Sequence, residues 1–299
     1  MSLSQNDMGR AFEYGIAVSI SEHLMAPIQD SPQVREARRC FESCAENEQR
    51  KIGQAATEAT AFLVANDNRL SEKNCFVSIQ SDQQGMYGDV RDIIVHNTVI
   101  GEEIGISAKH HHWAVKHSRL SESIDFGCRW FGIPCSDDYF QIVTPIFREL
   151  RSRQEKHEKW RDIPDKKQRY YMPVLQAFSD ELQRLFQINP ADVSRGLIHY
   201  LLGRYDYYKV IKENGYVSIT SFNINGTLKW GRRVQLPTRI IEIAQKPRSE
   251  TTVFITLDRG WQLSFRIHNA SSMVEPSLKF DISIIGLPST IDRNVIEYG

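Results

Sequence analysis

The sequence has no run of apolar residues near the roughly 18 that a membrane helix needs. Its first ten residues are polar, without the apolar segment that opens a secretory leader. These absences lead to the expectation of a soluble, cytoplasmic protein with no membrane partner. Cysteine is scarce: Cys40, Cys44, Cys75, Cys128 and Cys135 are odd in number, and no two form CxxC. Such a set does not make a disulfide framework and points to a reducing compartment. A zinc site is poorly supported, because no cysteine neighbours the histidines in sequence. Excess charge is also missing, with 37 basic and 37 acidic residues in 299. Neutrality gives no overall attraction to nucleic acid, yet it leaves room for a local basic face. Internal repeats and low-complexity tracts are absent.

What is present is an ordinary globular composition, 41% hydrophobic and 25% charged. Phe12, Ile16, Ile20 and Leu24 recur every four residues and predict a helix, which Pro27 and Pro32 end. Ala37, Phe41, Ala45, Ile52, Ala56, Ala59 and Leu63 predict one or two helices over 34–65. Residues 75–80 (CFVSIQ) read as a strand, and 81–88 as a polar loop. Residues 90–95 (VRDIIV) and 103–109 (EIGISAK) read as strands joined by a short polar link, a hairpin. Helical patterns follow at 120–131, 137–159, 172–186 and 190–202. From 207 onward the chain is mostly β, with candidate strands at 216–222, 239–245, 251–257, 261–268 and 278–285. This order predicts an α/β (α+β) fold: a mixed central sheet flanked by helices, with additional C-terminal β elements. A weak boundary falls between 160 and 205. It separates a core at 1–160, with the N-terminal helices, from a helical and then β-rich region at 161–299.

The chemistry concentrates in 88–119, GDVRDIIVHNTVIGEEIGISAKHHHWAVKHSR. Asp92 precedes three apolar residues, so it stands where a strand enters a core. Strand alternation puts Ser107 and Lys109 on one face, roughly 6–7 Å apart. A hairpin brings Asp92 beside them, with Asp89 as the alternative acid. Phosphodiester hydrolysis needs this combination. A carboxylate holds a divalent metal that activates water, and a lysine orients the water and stabilises charge on the phosphate. Magnesium, the expected cofactor, binds through few carboxylates plus waters and substrate phosphate.

Residues 107–119 hold Lys109, Lys116 and Arg119 and no acid. With His117 they form a positive ridge; His110, His111 and His112, grouped with it as DNA contacts, also read as a metal-binding tract or a polar turn. A solvated charge face is the ordinary explanation of such a run; contact with DNA phosphates is the sharper one, and it predicts steep salt dependence. His117 as a general base ranks second to the metal mechanism. Arg266, His268, Asn269 and Lys279 lie on or between the last two candidate strands. They read either as an exposed hairpin or as DNA contacts, since Arg and Asn suit base edges in the major groove.

The spaced Asp92…Ser107-Ala108-Lys109 resembles the PD-(D/E)xK nucleases. It departs from them at Arg91, where proline is usual, and at Ser107, where the second acid stands. A variant of that pattern carries SxK and takes the missing acid from the following helix. Here Glu122, 13 residues after Lys109, and Asp125 occupy that region. Glu13, in AFEYG, is a further helical acid. GDVRDII, ISAKHHHWAVKHSRLS, DFGCRWFGIPCS and SFRIHNASSMVEPSLKFD, with AFEY, are together similar to the HaeIII-type restriction endonucleases over about residues 9–291. The resemblance implies a restriction-endonuclease-like core and magnesium-dependent cleavage of double-stranded DNA at GGCC by a homodimer or transient dimer. It implies Asp92, Ser107, Lys109 and Glu122 as catalytic residues. The metal ligands would come from Asp92, Asp89, Glu122, Asp125 and Glu13. Two other classes compete: a repair or nicking nuclease of the same fold, and a DNA-binding protein that has lost its second acid at Ser107. In the latter, Lys109→Ala would leave every activity intact.

Overall fold

The computed structural model describes residues 4–71, 74–81, 88–110 and 116–299, with backbone alone at Ser71, Lys116 and His117. Helices α1 (Gln5–Leu24), α2 (Pro32–Glu42) and α3 (Glu46–Asn66) come first, followed by strands β1 (Cys75–Ile79), β2 (Ile93–Asn97), β3 (Glu102–His110) and β4 (Lys116–Ser121). Next are α4 (Phe126–Phe131), α5 (Asp137–Glu155), α6 (Met172–Ile188) and α7 (Pro190–Leu202). The chain closes with β5 (Tyr207–Lys212), β6 (Tyr216–Phe222), β7 (Ile240–Gln245), β8 (Thr252–Leu257), β9 (Gln262–His268), β10 (Ser277–Gly286) and β11 (Arg293–Glu297). Helices and strands thus mix in one α+β architecture. Among the described residues no helix is long and apolar enough to cross a membrane. All five cysteines are free thiols.

The elements form two compact units. One comprises Met1–His112, Leu202–Gln235 and Ser289–Gly299; the other comprises Trp113–Leu201 and Leu236–Pro288. The first unit is built on a mixed sheet in the order β1-β2-β3-β5-β6-β11. Among the described strands β3 and β5 are the pair that runs parallel, with Ser107 opposite Lys209. Ser4 starts α1 through a capping box with Asp7, and Ser31 caps α2 ahead of Pro32. Phe12, Ile16 and Ile20 of α1, with Ile52, Ala56 and Ala59 of α3, pack on one face of this sheet. They meet Ile104, Ile106 and Ala108 of β3 and Tyr208 and Val210 of β5. Alternation therefore turns Gly105, Ser107 and Lys109 to the opposite face.

Two Asp-x-Arg segments grip β3, one on each face. Arg69 returns to Asp67 through two hydrogen bonds of 2.8 and 2.5 Å and reaches Glu102 at 3.1 Å. Arg91 does the same with Asp89, at 2.8 and 2.7 Å, and reaches Glu103 at 2.9 Å. Arg91 crosses directly over Gly105, where an added Cβ would lie 2.1 Å from its Cδ. A side chain at that position would expel the arginine.

The second unit carries an antiparallel sheet in the order β4-β10-β9-β8-β7. Phe178 of α6 packs against Phe126 and Trp130 of α4 on one side and against Phe265 and Phe280 of that sheet on the other, in tilted and edge-on contacts. The helical pattern read at 120–131 is corrected at its start. Residues 116–121 form a strand that pairs with Ser277–Ile282, and α4 begins only at Phe126, capped by Asp125. Cross-strand pairing overrides local propensity there. Strand β5, missing from the candidate strands, is buried along its whole length. A strand covered on both faces shows no alternation to read.

Asp67 is fully buried, and Tyr208 also donates to it at 2.7 Å. Burial alone would raise its carboxyl pKa, but the Arg69 and Tyr208 hydrogen bonds outweigh burial and hold it below the ordinary 3.8. Asp67→Asn is expected to cost about 3–5 kcal/mol at neutral pH, the usual penalty for stranding a buried charge. Because the folded carboxyl titrates below the unfolded one, this stability is complete above the unfolded value and is lost as pH falls through the folded value. Urea unfolding of wild type and variant should therefore differ at pH 7 and converge in acid.

Candidate active site

Asp92 lies just before β2. Its backbone N–H donates to the Ile106 carbonyl at 2.9 Å, and its carbonyl accepts from Gln80 N–H at 2.8 Å. These two bonds seat it between β1 and β3, on the face bearing Ser107 and Lys109. One carboxylate oxygen, Oδ2, accepts three hydrogen bonds: from Ser107 Oγ at 2.9 Å, Ala108 N at 2.8 Å and Lys109 Nζ at 2.8 Å. No described donor reaches Oδ1. The Asp92 and Lys109 side chains keep 21% and 32% of their surface exposed, so the pair stays open to a ligand. Ser107 acts as a donor, fixing the Asp92 carboxylate by its hydroxyl.

A lysine that the sequence reading did not single out completes this face. Lys209 of β5 stands opposite Ser107 in the parallel pairing and is 9% exposed. Burial, then the charge of Lys109, pushes its ammonium down to about 8 against the pull of Asp92. Burial, then the Asp92 carboxylate, pushes the Tyr207 phenol upward. Tyr207 and Lys209 are two residues apart on one strand, so both project toward the site face. The available signal was a lysine set inside YYKVI. Reading it required knowing that β5 lies beside β3.

Asp89 stands apart from this group, with both oxygens engaged by Arg91 and Oδ2 also by Gln80 at 2.9 Å. Burial would raise its pKa, but those bonds outweigh burial and lower it. Glu13 rides on α1, which packs against the other face of the sheet. Glu122 and Asp125 belong to the second unit. Glu122 accepts from Arg148 at 2.7 Å and pairs with Arg151 at 3.3 Å. Asp125 Oδ1 accepts Cys128 N–H at 2.8 Å and Cys135 N–H at 3.1 Å. Among the described residues no three His, Cys, Asp or Glu side chains converge as a metal cluster. The Asp92 site still suits magnesium, which needs one or two carboxylates and fills its remaining positions with water and phosphate oxygens.

Of the basic ridge, His110 turns to the helix-covered face. Its Nε2 lies 3.4 Å from Glu48 Oε1, and Lys212 bonds the same oxygen at 2.8 Å. His111 and His112 fall outside the described residues, as do the side chains of Lys116 and His117. The β register brings together other candidates that lie about 150 residues apart. Arg119, Lys279 and His268 are paired in one row across β4, β10 and β9. Asp281 and Arg266 form a parallel row two residues away, on the same face, with the His117 backbone opposite Asp281. Acids interleave with these cations. Arg119 bonds Glu275 at 2.5 Å, and Asp281 lies 2.8 Å from His268 and 3.6 Å from Lys279. Asn269 is engaged at both ends of its amide, accepting from the Tyr171 hydroxyl and donating to the Ser271 carbonyl.

The family model for HaeIII restriction endonuclease matches residues 9–288. Over 309 aligned positions the chain is 37% identical to the Type II restriction enzyme HaeIII of Haemophilus aegyptius, covering 97% of each chain.

Proposed function

The chain belongs to the HaeIII restriction endonuclease family, and on that premise we propose that it hydrolyses both DNA strands at GGCC with magnesium, through Asp92, Ser107 and Lys109. It is a Type II restriction endonuclease of HaeIII type, a hydrolase of double-stranded DNA. The observation that carries the reading of the site is the convergence of Ser107, Ala108 and Lys109 on one oxygen of Asp92. That convergence leaves the second oxygen of a partly exposed carboxylate directed away from its three donors.

Asp92 would hold the metal. When bound, a divalent ion supplies Lewis acidity and lowers the pKa of a coordinated water. The chain's own residues do the rest. Ser107 and the Ala108 N–H fix the carboxylate orientation before substrate arrives. Lys109 holds its ammonium at the reacting phosphate, orients the attacking water and opposes the charge that builds on the phosphoryl oxygens. One such preorganised donor is worth about 10²–10³ in rate. Two copies of the chain, as a stable or transient dimer, would meet the two symmetry-related bonds of a palindrome. The GGCC site is carried by the family relationship; the residue pattern does not encode it.

The basic rows on the β4–β10–β9 face fit phosphate and base contacts. Arg119→Ala and Lys279→Ala should each weaken DNA binding alike on all sequences and lower the log–log salt slope by about 1. Arg266→Ala, as a base-reading change, should instead relax specificity at one position. Fluorescence anisotropy over a salt series separates the two classes.

Plasmid digestion tests the catalytic reading. Discrete fragments ending at GGCC should appear with magnesium and vanish with chelator or with Lys109→Ala. Fragments ending at another sequence would reject the inherited specificity. Full cleavage by Lys109→Ala would reject the assigned chemistry.

A further inference from the structure

Among the described residues the Asp92 carboxylate stands beside two ammonium groups, Lys109 and Lys209. Lys109 takes it at 2.8 Å. Among the described residues Lys209 has no carboxylate within ion-pair distance, although it is 91% buried by its 9% exposure. A desolvated ammonium without its own anion is costly to the fold and gives no packing that a methionine could not give.

The surroundings of Lys209 are polar where a sheet interior should be apolar. Ser107, Lys209, Thr220 and Arg293 face one another in a single row across β3, β5, β6 and β11. The next row toward the end of β5 contains Ser218, fully buried, whose hydroxyl finds no partner among the described residues. Among the described residues Lys209 therefore has polar neighbours but no carboxylate of its own.

We propose that Lys209 is a second substrate-facing cation of the hydrolytic site, placed to contact a phosphate oxygen of the DNA backbone alongside Lys109. The inference rests on the reading of Asp92 and Lys109 given above and adds a residue to it. The phosphodiester supplies the counter-charge that the free protein withholds from Lys209. Two lysines then divide the work. Lys109, tied to Asp92, acts at the reacting water, and Lys209 holds the phosphate from the β5 side. Bound DNA would thus relieve a strain carried by the free protein.

The test is Lys209→Met, an isosteric loss of charge, compared with wild type, Asp92→Ala and Lys109→Ala. Three readouts are taken on the full chain. Cleavage of plasmid by Lys209→Met should fall on the order of 100-fold, the loss typical of one preorganised cation or donor. Binding to a GGCC duplex in chelator should show a log–log salt slope lower by about 1. The melting temperature without DNA should stay level or rise, because an unmatched buried charge is gone. A fall in melting temperature with an unchanged salt slope would mark Lys209 as structural and overturn the proposal. Wild-type cleavage and slope in Lys209→Met would overturn it too, while loss of cleavage in Asp92→Ala and Lys109→Ala would leave the parent reading standing. Full cleavage by those two variants would overturn both.

Discussion

The site depends on the Arg91 clamp. The guanidinium spans Asp89 and Glu103 and lies across Gly105, so it fastens residues 89–92 onto the first half of β3. Its outer face stacks on Tyr205, 4.2 Å from the ring centroid, just before β5. Arg204 N–H bonds the Gly88 carbonyl at 3.0 Å. One side chain thereby aligns the three segments that deliver Asp92, Ser107 with Lys109, and Lys209. Stranding a buried partner of this kind costs about 3–5 kcal/mol, a large part of a domain's net stability. Asp89 therefore bears on the site through its two bonds to Arg91.

Locality decides what the sequence makes legible. Asp92, Ser107 and Lys109 lie within 18 residues, and period-two alternation with a short turn is enough to bring them together. Lys209 is a hundred residues further on, and only the parallel pairing of β3 with β5 places it there. Such pairing leaves no periodic trace in a strand buried on both faces. The basic rows divide in the same way. Arg266, His268 and Lys279 suggested a hairpin from sequence, but their alignment with Arg119 needed β4, whose pattern at 120 reads as helix. The antiparallel register of β10 against β4 made it a strand.

The path of the chain ties these observations together. Parallel neighbours cannot be joined by a tight turn, so β3 and β5 require a long crossover. Here the crossover is most of the second unit, from β4 through α7. A second excursion, between β6 and β11, supplies β7 to β10. The strands of the second sheet come from both excursions, and β4 joins β10 across about 160 residues of sequence. The necessity of joining two parallel strands has been turned into a place for a separate sheet.

That interleaving limits how such an enzyme could be recombined. Since the second unit is entered twice, at 112/113 and 235/236, and left twice, at 201/202 and 288/289, a single crossover in the gene cannot exchange it whole. A chimera that keeps one unit intact must swap two segments together, joined by the β4–β10 ladder. New specificity on this scaffold is then reached more readily by point changes along a sheet face than by shuffling modules.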